Sequence, residues 1–173
     1  MTEESKEKVG TTAPTSYAEQ IAADVIAQMA ADGHPAWPVA FSAEYSRMYI
    51  SDLETMAPAG GATDQMALVF APAAENYERV GWGGVRITIT IGILFDVMVT
   101  TANGEVTDPQ IGAYEALVDQ ITTWLMGPRK FAQGFWASDP VTVKGDHYNE
   151  HLYEKTEFHV PVLIDFIYDG TVT

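Results

Sequence analysis

Over residues 85–99, Ile87, Ile89, Ile91, Ile93, Phe95 and Val97 take every second position, while Arg86, Thr88, Thr90, Gly92 and Asp96 fill most of the others. Successive side chains of a strand point to opposite faces, so this pattern dictates a strand with one buried face and one more polar face. A strand of that kind belongs in a mainly antiparallel sheet, because parallel strands are normally covered on both sides. It is much longer than the roughly 5–6 residues typical of globular strands. Its far end is therefore expected to project beyond the domain core.

A second alternating run closes the chain, with Phe158, Val160, Val162, Ile164, Phe166 and Tyr168 on one face. Pro161 lies within it and has no amide to donate, which predicts an edge position or a bulge there. Shorter strands are expected over residues 39–49, 66–70 and 140–143. The segments 56–64 and 72–84 read as loops, the second carrying Tyr77 and Trp82.

Two helices separate these strands. Ser16 is placed to cap the first, with Glu19 in the capping-box position, and Tyr17, Ile21, Val25, Ile26 and Met29 form one face. Gly33, Pro35 and Pro38 stop it. Asp108 followed by Pro109 is a strong start for the second helix. Its apolar face is Ile111, Tyr114, Leu117, Val118, Ile121, Trp124 and Leu125, and Gly127 and Pro128 end it. The order helix, strands, helix, strands predicts a two-layer α+β domain, a mainly antiparallel sheet packed by two main helices. That domain spans residues 15–170, and residues 1–14 are expected to be a disordered arm.

Composition narrows the function. With 173 residues the chain is long enough for a core without staples. The net charge of −15 lacks the electrostatic footprint of a protein that grips nucleic acid and would be repelled by an anionic membrane. There is no cysteine, which excludes disulfides, thiolate catalysis and Cys-ligated zinc. The first ten residues carry no signal-peptide apolar stretch, and the longest apolar run is too interrupted to span a bilayer. The chain is expected to be soluble and to stay where it is made.

The search for catalytic or cofactor chemistry yields one pattern. His147, Glu150 and His151 spell an inverted zinc-protease motif. The polar, turn-like context, with a strand soon after, leaves little room for a third ligand, so a solvated turn is the expectation there. Gly81, Gly83 and Gly84 precede a strand rather than a helix, so they do not make a phosphate cradle. Asp24 and Asp32 lie off the apolar stripe of the first helix and are most simply solvated. No metal, no cofactor and no enzymatic activity are expected. The features left over belong to assembly: aromatic side chains in a loop, a long strand, and an N-terminal arm. Tyr77, Trp82, Arg86, Phe135 and Trp136 are the candidate protein-interface residues.

The chain resembles the tail terminator proteins of long-tailed bacteriophages, also called tail-to-head joining or tail completion proteins. The resemblance rests on the opening helix YAEQIAADVIAQM, the pair Asp52–Leu53 after the first strand, the long strand VRITITIGILFDVMV, and the Asp-Pro-started helix with its ALVDQI core. It continues through the closing segment YNEHLYEKTEFHVPVLIDFIY, with Tyr148, Leu152, Tyr153, Phe158 and Tyr168 in place. It implies a virion subunit that forms a homo-oligomeric ring, commonly a hexamer, on the last ring of the tail tube. Such a ring ends tube growth and joins the tail to the head connector or neck protein. In a ring the acidic charge would line a channel through which DNA passes without specific binding. The alternatives are another neck, minor tail or head completion protein, or a monomeric binding module for a host protein.

Overall fold

The computed structural model describes residues 15–32, 37–50, 66–99, 108–138, 141–142 and 157–171. The arm, the loop 56–64, the pair Asp52–Leu53, and the His147–His151 motif with the turn to Tyr153 lie outside those residues. The chain is α+β. Helix α1 is Tyr17–Ala31, strand β1 Phe41–Tyr45, β2 Met66–Val80 and β3 Gly84–Met98. Helix α2 (Asp108–Leu125) follows, then a short 3-10 turn (Ala132–Gly134), β4 (Trp136–Ala137), β5 (Val141–Thr142) and β6 (Glu157–Thr171).

The six strands make one sheet in the order β1-β2-β3-β6-β4, with β5 also on β6. β1 pairs with β2 in parallel, and every other pairing is antiparallel. The two alternating runs of the sequence sit side by side. Ile87 faces Tyr168, Ile89 faces Phe166, Ile91 faces Ile164 and Ile93 faces Val162 without a register shift. These side chains share one sheet face, on which α1 and α2 pack. Ile21, Ala22, Val25 and Met29 of α1 and Leu117, Val118, Ile121 and Leu125 of α2 join them in one buried cluster. Each of the larger aliphatic and aromatic side chains removed from water contributes about 1.5–3 kcal/mol, so this face holds the fold together.

Two expectations about strands need correction. First, residues 72–80 are strand rather than loop. β2 carries on through Pro72, but its register against β3 shifts between Pro72 and Ala74. A bulge of this kind flips the alternation, so Phe70 and Pro72 share a face with Glu75 and Tyr77. β1 reaches only as far as Phe70, so Pro72 breaks no ladder on that side. Secondly, the end of β3 that leaves the core is its beginning. Phe95, Val97 and Val99 at its far end are buried, whereas residues 74–80 of the paired β2 are all exposed. At Pro161 the ladder to β3 runs on unbroken, and β4 and β5 pair with the other side of β6 at Phe166–Ile167 and Val162–Leu163.

Ser16 caps α1 by accepting from the Glu19 amide at 3.2 Å, as the sequence predicts. Asp32, expected in solvent, instead joins the two helices. It accepts from the Trp124 indole N–H at 3.1 Å and from the Arg129 guanidinium at 2.8 Å.

Candidate protein interface

β2 and β3 form a hairpin whose turn is Gly81, Trp82 and Gly83. Gly81 and Gly83 have φ of 63° and 82°, a region open to glycine at little cost. The glycines therefore serve a hairpin turn, in keeping with the rejection of a phosphate cradle. Between them Trp82 is 107% exposed. A tryptophan has a large apolar area to bury and none of it is buried here.

The residues of the outer half of β2 are exposed on both faces, and among the described residues no strand pairs with its outer edge. Its residues 74–80 are Ala, Glu, Asn, Tyr, Glu, Arg and Val, all exposed. β1 covers the neighbouring edge only at Met66–Phe70. Tyr77 is 56% and Val80 47% exposed. Tyr77 donates its hydroxyl to Glu75 at 3.2 Å, and its phenol is held above the usual range, first by burial and then by the Glu75 charge. A shallow cleft of about 440 Å³ separates this strand from the start of α1, lined by Tyr17, Gln20, Glu75, Tyr77 and Gln133 among others.

The other sheet face carries a row of cross-strand polar pairs between β3 and β6. Arg86 makes a two-pronged contact with Asp169, at 2.7 Å from Nε and 3.0 Å from the terminal nitrogen. That hydrogen bonding lowers the Asp169 carboxyl and raises the Arg86 guanidinium from their ordinary values. Thr90 donates to Asp165 at 2.6 Å. Further along, Asp96 and His159 are directly opposed and both buried, with Oδ1 and Nδ1 3.6 Å apart. Between them Ile50 lies over Gly92.

The candidate interface residues separate into two groups. Tyr77, Trp82 and Arg86 lie together on the hairpin, exposed. Phe135 and Trp136 lie beyond the 3-10 turn, and only Trp136 has any exposure. Phe135 is buried between Tyr17 and Tyr168, each 5.5 Å away by ring centroid, so its side chain belongs to the core. Sequence reasoning missed Arg79, Met48 and Tyr49. Met48 and Tyr49 are exposed apolar side chains just past β1, and nothing in their local pattern marks them.

Among the described residues there is no cluster of His, Asp and Glu able to hold a metal ion, and no helix is long and apolar enough to cross a membrane. No protein-family model matches the sequence, and no curated protein does. Among solved structures, the chain is similar to one from the virion of a native gene transfer agent particle. That likeness covers 90% of this chain and 100% of the other at 14% identity, with a TM-score of 0.46. At that level it says nothing by itself about function.

Proposed function

We propose that this chain is a structural virion protein, a tail terminator that forms a ring on the end of the phage tail tube. The observation that carries the reading is the hairpin β2–β3, which leaves the core with an unburied tryptophan at its tip and an open backbone edge along one side. A solitary domain gains nothing from either feature, whereas an assembling subunit buries both. The resemblance through α1, β3, α2 and β6 supports the same class.

In this reading the ring is homo-oligomeric, most simply a hexamer. Its partners are the tail tube protein below and the head-tail connector or neck protein above, and its place is the tail or neck of the virion. The sheet's outer strands, β1 on one side and β4 and β5 on β6 at the other, give two different edges of the kind a heterologous ring joins. At −15 per chain the ring's channel is acidic, so DNA passes without being held. The protein performs no catalysis and needs no cofactor.

The test is tube growth. Purified chain added at a small molar fraction to the polymerising cognate tube subunit should cap ends and bring growth to an early plateau. Unaltered growth at every ratio refutes the terminator role. A monomeric binding module would also expose Trp82, and it would leave growth unaltered while binding a host protein through that residue.

A further inference from the structure

The edge of β2 that no strand among the described residues covers beyond Phe70 is self-complementary. If two copies lie antiparallel with Tyr77 facing Tyr77, then Glu75 faces Arg79, Asn76 faces Glu78 and Ala74 faces Val80. Glu75 meets Arg79 twice over by symmetry, Glu78 faces an uncharged Asn76, and no like charges oppose one another. Centring the pairing one residue later, on Glu78, would set two glutamates face to face. Directly opposed cross-strand pairs are the unit of sheet stabilisation, and like charges there are unfavourable. Such complementarity stands out in a chain whose net charge of −15 makes its copies repel one another overall.

The rest of the geometry agrees. Glu75, Tyr77 and Arg79 stand on the same sheet face, opposite Ile89, Ile87 and Val85 of β3, so they form one continuous row. Arg79 has no ion-pair partner among the described residues. The same register brings each hairpin tip level with Pro72 of the other copy. That point lies next to the end of β1, which stops at Tyr45 opposite Phe70 and leads to exposed Met48 and Tyr49. Trp82 and Val80 would be covered there together with them.

We infer that the free chain docks with a second copy of itself by antiparallel pairing of residues 74–80, joining two sheets into one with α1 and α2 of both copies on the same side. The inference does not depend on the ring reading, because a ring joins two different patches and this edge joins its own copy.

Light scattering on the full chain should give twice the 18.9 kDa of one chain. Arg79→Glu and Glu75→Arg should each raise the dimer dissociation constant by about tenfold or more. The double exchange Glu75→Arg/Arg79→Glu should restore it. Because the chain has no cysteine, Tyr77→Cys provides a second, independent readout. At the two-fold axis, opposed Cβ atoms are about 4.5–5.5 Å apart, close to disulfide geometry. Oxidised glutathione should then link Tyr77→Cys into covalent dimers and leave Arg79→Cys unlinked.

A monomer that Tyr77→Cys fails to link overturns the inference, and so does a dimer indifferent to both charge reversals. A mass of six chains, unmoved by Arg79→Glu, would overturn the edge pairing while leaving the ring reading standing. A charge-sensitive dimer that never alters tube growth would do the reverse.

Discussion

Trp124 donates its indole N–H to Asp32 at 3.1 Å, tying the C-terminal turn of α2 to the C-cap of α1. An acidic residue at that end of a helix is disfavoured by the macrodipole, by about 0.3–1 kcal/mol. Arg129 reverses the balance: it binds the same carboxylate oxygen at 2.8 Å and lies over the Trp124 ring, 4.5 Å from its centroid. Asp32→Ala should therefore cost about 1–2 kcal/mol in urea unfolding, since Trp124 loses its acceptor and Arg129 its counter-charge. Asp32→Asn, which still offers an oxygen to the indole, should cost less. Equal losses in the two variants would mean that the charge alone matters.

Gly92 is needed because Ile50 occupies the space its Cβ would take. A Cβ built there would stand 2.5 Å from Ile50 Cγ1 and 2.8 Å from its Cβ, too close for the isoleucine tip alone to yield. Gly92→Ala is expected to destabilise by about 1–3 kcal/mol, as overpacking does. In Gly92→Ala/Ile50→Ala the two losses should be less than additive. Full additivity, measured from denaturant midpoints, would show that the two residues do not touch.

Two aromatics, Trp82 at the hairpin tip and Phe135 after the 3-10 turn, make opposite predictions for stability. Phe135→Ala should cost about 3–5 kcal/mol, because it empties a site enclosed by Tyr17 and Tyr168. Trp82→Ala should change stability by less than about 0.5 kcal/mol, and its effect should appear in assembly. A thermally fragile Trp82→Ala protein would mean that the tip packs on its own chain.

The Arg86–Asp169 pair sets an acid dependence. Its hydrogen bonds lower the folded Asp169 carboxyl. The folded state therefore binds this proton less readily than the unfolded chain, whose carboxyl titrates near about 3.9. The contribution is complete above that value and is lost as pH falls through the lower folded one. Between about pH 5 and pH 3, wild type should lose more stability than Asp169→Asn. Parallel pH profiles for the two proteins would remove the pair from the account.

How much of this was legible in the sequence depended on whether the determining neighbours were local. The faces of β3 and β6 could be read directly, since an unbulged central strand shows its burial as simple alternation. The Ser16 cap and the Gly127–Pro128 stop act within a turn and were equally plain. β2 was hidden for two reasons: the bulge after Pro72 inverts its alternation, and residues 74–80 are exposed on both faces, so no hydrophobic period exists to be found. The role of Asp32 was invisible because its partners lie 92 and 97 residues away. Phe135 and Trp136 look alike as neighbours in a list of aromatics. Only the extended backbone after the 3-10 turn sends the first inward and leaves the second at the sheet margin.

The proposed terminator role has a direct test at the tube ends. The measurement that addresses it most directly is electron microscopy of cognate tubes grown with the labelled chain, averaged at the tube ends. A terminator gives a closed ring of the chain at one end only, with label absent from the tube walls. Label spread along the tubes, or missing from both ends, would contradict it.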